Sequence, residues 1–270
     1  MRTITALFVG LGSIGTRHLK NLANLCADRG WTLQADALRS DLTRPLRPGA
    51  AELLHAQYTD LAAAPAHYDI VFITNPTSLH AEALRQVKGR GEALFIEKPI
   101  FSAEQTGLAL DELLPAGQKA YVAAPMRWCG AMLALKDRLP ALHPYCARVI
   151  CSSYLPDWRP GVDYRTVYSA RKALGGGVTI DLIHEWDYLV ELFGVPEKLY
   201  NFKGTYSELE IDSDDLSVYI AKYPTLLAEV HLDYFGRGYR RSIELFCRDG
   251  SYLADFGKGT LTLPDGTVQH

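Results

Sequence analysis

The sequence predicts an α/β protein of two domains, the first built on a doubly wound parallel sheet and the second on a mostly antiparallel one. The first half alternates strand-like and helix-like segments, which is typical of a parallel sheet. The last third instead contains consecutive β-like segments with no helix between them, which favours antiparallel pairing. With 270 residues the chain is long enough for two cores. We place the domains at residues 1–122 and 123–270.

Composition excludes several classes of partner. A net charge of −3 gives no reason to expect nucleic acid or an anionic membrane surface. No apolar run approaches the roughly 20 residues that span a bilayer, and the first apolar stretch runs directly into a glycine turn rather than a cleavage site. The five cysteines are scattered and form no C-x-x-C pair. We therefore expect a cytoplasmic protein without disulfides or a metal site.

In the first domain, strands and helices alternate with turn residues between them. The helix through 102–114 is predicted from the capping-box pattern of Ser102 and Gln105. The predicted elements are a strand at 4–9, a helix that ends before Gly30, a strand at 31–38, a helix at 51–61, a strand at 69–74, a helix over 79–87, a strand at 93–97, the helix 102–114 and a strand at 119–124.

In the second domain the pattern changes from helical to β alternation. A helix at 131–138 precedes a strand at 146–154, and a second helix begins after three consecutive glycines, 175–177. Apolar residues then alternate within 216–220, 228–234 and 243–247, with turn signals at 249–250 and 264–266. One weak strand pair is expected after Gly257.

Gly10, Gly12 and Gly15 follow the first strand and open the first helix, in a G-x-G-x-x-G arrangement. This pattern predicts a dinucleotide-binding turn, in which the first glycine permits the tight turn, the second lets a pyrophosphate approach and the third allows close helix–strand packing. Phosphates would then meet the N-terminus of the helix, so Ser13 and Ile14 join the predicted cofactor-binding residues.

The end of the second strand predicts which nicotinamide cofactor is used. Arg39 and Ser40 follow that strand, where an NAD site would place a carboxylate. A guanidinium and a hydroxyl suit a 2′-phosphate, so we predict NADP(H), with NAD as the alternative. In that alternative Arg39 is an ordinary loop cation and Asp41 reaches the ribose.

Lys98 directly follows a buried strand and is the first candidate for chemistry. Ligands of open α/β sheets bind at the carboxyl ends of the strands, where an ammonium group could orient a hydroxyl and stabilise a developing oxyanion. The alternative is a surface lysine that pairs with Glu97.

The helix after the three glycines supplies the second candidate. On a regular helical wheel, Asp181, His184 and Tyr188 lie opposite an apolar face. An aspartate three residues before a histidine can hold one imidazole tautomer and raise its basicity. The alternative is a hydrogen-bonded surface histidine without a catalytic role. The apolar face comprises Leu182, Trp186, Leu189, Val190 and Phe193.

Four motifs together resemble the Gfo/Idh/MocA family of NAD(P)-dependent oxidoreductases. They are GLGSIGTRH, TNPTSLH, EKP and GGGVTIDLIHEWDY, and they occur in the family's order across almost the whole chain. The resemblance implies a Rossmann domain and a second α/β domain whose open sheet packs against a neighbouring subunit. It implies that Lys98 acts beside the nicotinamide, commonly before a cis proline, and that His184, assisted by Asp181, exchanges a proton with a sugar hydroxyl or keto group. The histidine here is three residues after the aspartate, where the family more usually has four. The same motifs add Asn75, Pro76, His80 and Glu97 to the predicted cofactor-binding residues.

The segment 154–173, rich in aromatic and basic residues, precedes the candidate helix and is expected to line the substrate site. Its side chains could stack on a sugar ring and bind a carboxylate or phosphate, although a rigid structural loop fits equally well. The predicted substrate residues are Trp158, Tyr164, Arg165 and Arg171, with Arg127 and Trp128 from the domain junction.

The sequence therefore predicts an NADP(H)-dependent oxidoreductase that moves a hydride to or from a sugar, amino sugar or cyclitol. The resemblance further implies a homo-oligomer, a dimer or tetramer, formed through the C-terminal sheet. Two alternatives stay open: a glycosidase or lyase that uses a tightly bound nicotinamide cofactor, and a non-catalytic regulator that senses the cofactor.

Overall fold

The computed structural model describes residues 1–102, 105 and 107–270, and their contacts divide the chain into two units, Met1–Ala123 and Ala124–His270. The predicted boundary lay after residue 122. The predicted fold class is confirmed, because one unit holds a parallel sheet and the other a mostly antiparallel sheet.

The first unit contains six parallel strands in the order β3-β2-β1-β4-β5-β6. This is the doubly wound order, in which the chain reverses direction across the sheet between β1 and β4. The strands are β1 Thr3–Val9, β2 Thr32–Leu38, β3 Leu54–Tyr58, β4 Tyr68–Ile73, β5 Gly91–Ile96 and β6 Lys119–Val122.

Helices cover both faces of this sheet because its strands are apolar on both sides. The helices are α1 Ser13–Asp28, α2 His80–Gln86 and α3 Leu110–Leu113. Leu19 of α1 packs with Phe8 on one face, where Phe8 stacks on Phe72 at 4.4 Å between ring centroids. Leu84 of α2 packs with Ile73 on the other face.

Of the helices predicted in this unit, one is wrong and another lies partly outside the described residues. The helix predicted at 51–61 is wrong: a short 3-10 turn at Ala51–Leu53 leads into β3, which pairs in parallel with β2. Its residues alternate between half-buried and exposed, the period of an edge strand rather than of a helix. In the predicted helix 102–114, residues 103, 104 and 106 lie outside the described residues, and in the described part only α3 is helical. The backbone N–H of Ser102 does donate to Gln105 Oε1 at 3.0 Å.

The second unit is an eight-stranded sheet with helices on one face. Its order is β14-β13-β12-β11-β7-β10-β9-β8, and the β7–β10 pair is parallel while the other neighbours are antiparallel. The strands are β7 Cys146–Tyr154, β8 Lys198–Gly204, β9 Leu216–Lys222, β10 Leu227–Asp233, β11 Phe235–Cys247, β12 Gly250–Asp255, β13 Thr260–Thr262 and β14 Val268–Gln269; the helices are α4 Gly130–Arg138, α5 Val178–Asp181 and α6 His184–Phe193.

Alternation along the central strand β7 separates the two faces of this sheet. Ala147, Val149 and Cys151 are fully buried and pack with residues of α4 and α6. Arg148 and Ile150 point to the opposite face, which the helices leave open. Among the described residues, no helix is both long and apolar enough to cross a bilayer.

Candidate active site

The glycine turn has the local geometry that the motif requires. Gly10 has a φ of +82°, and a Cβ there would lie 2.7 Å from Cα of Asn75, at the point where the loops after β1 and β4 meet. A Cβ at Gly15 would lie 2.6 Å from the carbonyl oxygen of Gly10. Both glycines are therefore required by close packing between the turn, α1 and the loop after β4.

Gly12 differs from the other two because a Cβ there would meet nothing within 4 Å. It is the N-cap of α1, Ser13 and Ile14 form the first turn, and that turn carries no acidic residue. No side chain of the described residues caps this helix end. The exposed N–H groups and the space above Gly12 fit the pyrophosphate of a dinucleotide.

The loop after β2 forms a small basic cavity of about 430 Å³, lined by Arg39, Arg44 and Arg47 among others. Arg39 is held in place, since its Nη1 donates to Gln57 Oε1 at 2.7 Å and its Nη2 to the carbonyl oxygen of Arg44 at 2.5 Å. Ser40 is exposed beside it.

Two of the carboxylates near this strand end, Asp41 and Asp36, already have partners. Asp41 accepts from the N–H and hydroxyl of Thr43, and these hydrogen bonds hold the pKa of its carboxyl below the usual range. Asp36 is 3% exposed and accepts from the Tyr68 hydroxyl at 2.9 Å. The arginines are thus better placed than the carboxylates to meet a ligand at this strand end.

His80 connects the loops that follow β4 and β5. Its Nε2 lies 2.9 Å from the carbonyl oxygen of Asn75, and its Nδ1 lies 3.0 Å from that of Pro99. Burial lowers the pKa of this imidazole, against the opposing effect of the backbone hydrogen bonds. The Asn75 side chain also has a buried Oδ1 without a hydrogen-bond partner in the described residues, next to exposed Pro76. Asn75, Pro76 and His80 thus build the rim at the switch point of the sheet.

Glu97 and Lys98 end β5 at the same edge of the sheet. Glu97 is 8% exposed, and its Oε1 lies 2.6 Å from Nε2 of His18 on α1. Its Oε2 accepts from the backbone N–H of Lys98 at 3.1 Å. The Lys98–Pro99 bond is cis, as the family resemblance implied. His18 was not among the predicted site residues, although it stands within the quoted motif GLGSIGTRH.

A cavity of about 550 Å³ in the second unit brings together Asp181, His184 and Trp158. This volume is within the roughly 300–1,000 Å³ range of small-molecule sites. Asp181 accepts a hydrogen bond of 2.7 Å from the hydroxyl of Tyr234, a fully buried residue whose pKa is raised by burial and by this carboxylate. Trp158 meets the Tyr234 ring edge-on at 5.2 Å and donates to the Ser153 hydroxyl.

The continuous helix predicted through this motif is wrong in its phase. The chain leaves helical geometry at Leu182, where φ is −97° and ψ is +30°, so α5 and α6 are separate helices. Tyr188 was predicted on the polar face with His184 but is fully buried, packed against Phe256, whereas Val190 is 40% exposed. Within α6 the buried side chains are Glu185, Tyr188 and Leu189, so the buried face of the helix is rotated relative to the predicted one.

A buried ion pair lies beneath His184. Glu185 is fully buried and binds the guanidinium of Arg241 on β11 through two contacts of 2.7 and 3.1 Å. Burial lowers the pKa of Arg241, but its attraction to Glu185 outweighs that effect and raises it. The pair fixes the first turn of α6, which carries His184, against the sheet.

The other predicted substrate residues lie outside this cavity. Arg165 binds Asp163 and Glu210, and the Tyr164 hydroxyl accepts from the backbone N–H of Glu210 at 3.2 Å. Arg171 lies 3.7 Å from a carboxylate oxygen of Asp212. Trp128 is exposed, with the Lys136 ammonium 5.9 Å from its ring centroid, and Arg127 binds Asp187 and Glu191.

Sequence reasoning missed several side chains of the cavity. The alternation of β11 could have indicated three of them, since positions two apart share a face. The missed side chains of β11 are those of Arg237, Tyr239 and Arg241, whereas Tyr154 and Asp157 lie in the segment 154–173 that was expected to line the site but were not named individually.

A family model described as "Oxidoreductase family, NAD-binding Rossmann fold" (GFO_IDH_MocA) matches residues 4–123. The N-terminal unit matches the model of the Gfo/Idh/MocA oxidoreductase family over residues 4–123. The match ends at the last residue of that unit and contains the glycine turn and both motifs that follow β4 and β5.

Relatives and solved structures extend the similarity into the second unit. The chain is 24% identical to the uncharacterized oxidoreductase YrbE of Bacillus subtilis (strain 168), over 96% of this chain and 76% of that protein. It is 26% identical to inositol 2-dehydrogenase of Rhizobium meliloti (strain 1021), over 71% of this chain and 56% of that protein. The WlbA dehydrogenase of Chromobacterium violaceum, solved with NADH and UDP-GlcNAcA, shares the fold at a TM-score of 0.79 and 21% identity, over all of this chain and 77% of that one.

Proposed function

We propose that this chain is an NADP(H)-dependent oxidoreductase that moves a hydride between the nicotinamide and a hydroxyl- or keto-bearing carbon of a sugar, amino sugar or cyclitol. The glycine turn carries this proposal, because Gly12 leaves open the space that a pyrophosphate would occupy while Gly10 and Gly15 are closed by packing. A bound nicotinamide would accept or supply the hydride, and the protein would supply orientation and electrostatics.

His184 is the proposed proton acceptor or donor for the substrate oxygen. It lines a cavity with Asp181, whose carboxylate is fixed by the Tyr234 hydroxyl. Imidazole titrates near neutral pH, which suits proton exchange with an alcohol or a ketone. Lys98, which follows β5 in the N-terminal unit, is proposed to act beside the nicotinamide, as the family resemblance implies.

The preference for NADP(H) rests on the basic cavity after β2. Arg39 is positioned by Gln57, and Arg44 and Arg47 line the same cavity, so a 2′-phosphate would meet a cluster of three guanidinium groups, of which Arg44 also pairs with Asp41 at 3.5 Å. The nearby carboxylate of Asp41 is already occupied by Thr43. A similar protein was solved with NADH. The affinities of this chain for NADPH and for NADH therefore have to be measured side by side.

The cavity composition supports a sugar-like substrate. The indole of Trp158 offers an apolar face to a sugar ring, and the carboxylates of Asp157 and Asp181 can accept hydrogen bonds from hydroxyls. The names of two similar proteins, inositol 2-dehydrogenase and a dehydrogenase solved with UDP-GlcNAcA, favour the same substrate class.

The proposal also includes assembly with a second copy of this chain and a location in the cytoplasm. Tyr200, Phe202 and Ile220 are 62%, 75% and 40% exposed on the open face of the second sheet, an apolar surface suited to a homodimer or tetramer. The five cysteines are free thiols, as in a cytoplasmic protein. Sedimentation of the purified protein tests the assembly, and a monomer at all concentrations would contradict it.

The experiment that tests the function is a substrate screen followed by nicotinamide absorbance. We expect NADP⁺ reduction with at least one sugar or cyclitol, and we expect His184→Ala to lower kcat by roughly 10²-fold or more because a general acid–base is lost. Tyr145→Phe, an exposed site outside the cavity, is the matched control. Turnover unaffected by His184→Ala would remove the assigned role.

A further inference from the structure

Arg237 lies in an irregular stretch of β11 that directs it into the cavity of the second unit. The pairing of β11 with β7 shifts register between Phe235 and Arg240, as in a β-bulge. The 2% exposed Asp233 holds this stretch, since its Oδ1 accepts from the N–H groups of Phe235 and Gly236 at 3.1 and 2.7 Å. A Cβ at Gly236 would lie 1.9 Å from Ser152 Oγ, so any larger residue there would displace the Ser152 side chain.

Arg237 and Arg240, three residues apart on β11, lie on opposite faces of the sheet. Arg237, Tyr239 and Arg241 line the cavity that contains His184. Arg240 lines the open face on the other side of the sheet. Both Arg237 and Arg240 are exposed to solvent. The two arginines therefore differ in the face of the sheet on which they lie and not in their exposure.

The guanidinium of Arg237 is positioned but not neutralised. Its Cζ lies 3.7 Å from the ring centroid of Tyr154, a cation–π contact that fixes the plane of the group. None of the ion pairs in the described part of the chain includes Arg237, whereas the other arginine of the cavity, Arg241, is bound by Glu185. Stacking leaves the N–H edge of a guanidinium able to donate two parallel hydrogen bonds to an oxyanion.

We propose that Arg237, stacked on Tyr154, binds an anionic substituent, a carboxylate or a phosphate, of the substrate in the His184 cavity. The arginines that the sequence suggested for this role, Arg165 and Arg171, are bound by acidic residues and lie outside the cavity. The sugar part of this ligand rests on the proposed function, but the anion site rests on the geometry of Arg237 alone.

The test is a calorimetric titration of the purified full chain without cofactor. The probes are D-glucuronate, D-glucose 6-phosphate and D-glucose, so that the carboxylate, the phosphate and the neutral ring are compared directly. The variants are Arg237→Gln, which removes the charge, Arg237→Lys, which keeps the charge but loses the planar edge, and Arg240→Gln, the matched control on the opposite face.

We expect at least one anionic probe to bind more tightly than D-glucose. Arg237→Gln should weaken that probe by about 10- to 100-fold, as expected for a lost charge-assisted hydrogen bond, and Arg237→Lys by less. Arg240→Gln should bind as the unchanged chain does, and the preferred probe identifies the carboxylate or the phosphate.

Three results would overturn the proposal: no binding of either anionic probe, no preference over D-glucose, or an equal loss in the Arg240 control. Because the readout needs neither cofactor nor turnover, it separates this site from the enzymatic function. If the chain binds an anionic probe through Arg237 but shows no dehydrogenase activity, the anion site stands and the proposed oxidoreductase function does not. Dehydrogenase activity in a chain whose binding of the anionic probes is unaffected by Arg237→Gln would retain the function and remove the site.

Discussion

Gly12→Ala separates cofactor binding from folding. The φ and ψ of Gly12 are −77° and −154°, an extended backbone open to alanine, and the new Cβ would meet nothing within 4 Å. We therefore expect the free energy of unfolding to stay within about 0.5 kcal/mol, or to rise slightly because the unfolded chain loses freedom. The methyl group would occupy the space assigned to the pyrophosphate. Losing one charge-assisted hydrogen bond there costs about 1.5–3 kcal/mol, or roughly 10- to 100-fold in NADPH affinity.

Gly10→Ala is the matched control, because its φ of +82° and the 2.7 Å approach of Asn75 Cα oppose any side chain. Left-handed strain of about 1–2 kcal/mol and overpacking of about 1–3 kcal/mol should lower the free energy of unfolding by roughly 2–5 kcal/mol. Urea unfolding and fluorescence titration with NADPH measure the two effects for each variant. If Gly12→Ala keeps its NADPH affinity, or unfolds as easily as Gly10→Ala, the reasoning about this turn is refuted.

Three further predictions concern the cofactor, a buried ion pair and acid stability. Arg39→Ala should raise the KM for NADPH by about 10-fold or more while changing that for NADH little, and equal effects in steady-state kinetics would remove the 2′-phosphate assignment. Glu185→Gln should lower the free energy of unfolding by about 3–5 kcal/mol because the largely buried guanidinium of Arg241, 16% exposed, would lose its charged partner. Glu229→Gln, in a solvent-exposed pair, should cost about 1 kcal/mol or less, and similar urea midpoints for the two variants would contradict this account. Burial lowers the pKa of His80, so the unfolded chain binds more protons below a pH of about 6.5 and stability falls as the pH drops further. His80→Gln should flatten that part of the Tm–pH curve, and an unchanged slope would argue against it.

The parallel sheet and its glycine turn were predictable because local chemistry determines both. A residue at a φ of +82° packed against Asn75 has to be glycine, so the motif carries its geometry with it. The strands β1 and β4 are buried on both faces and appear in the sequence as apolar runs.

Edge strands were not predictable in the same way. The strand β8 is exposed along almost its whole length, so its sequence lacks the alternation that marks a half-buried strand. The strand β3, at the other sheet's edge, was mistaken for a helix because its short pattern is also compatible with helical spacing. In both cases pairing with a neighbour, rather than local preference, decides the structure.

The candidate site was predictable in its motif residues and not in its tertiary partners. Asp181 and His184 were found from spacing, but the Tyr234 hydroxyl that binds Asp181 comes from 53 residues away. For Arg165, the nearby Asp163 was a signal that the charge is already neutralised. Alternation along β11 could place Arg237 on the cavity face, but it could not predict its stacking partner, which belongs to a different strand.

The measurement that tests the central claim most directly is a titration of the unchanged chain with NADPH and with NADH, followed by fluorescence or calorimetry. The account predicts saturable binding of NADPH that is clearly tighter than that of NADH, because the glycine turn would hold the pyrophosphate and the arginines after β2 would hold the 2′-phosphate. Tighter binding of NADH would contradict the role of Arg39 and leave the dinucleotide site intact. Binding of neither cofactor would contradict the proposed function itself.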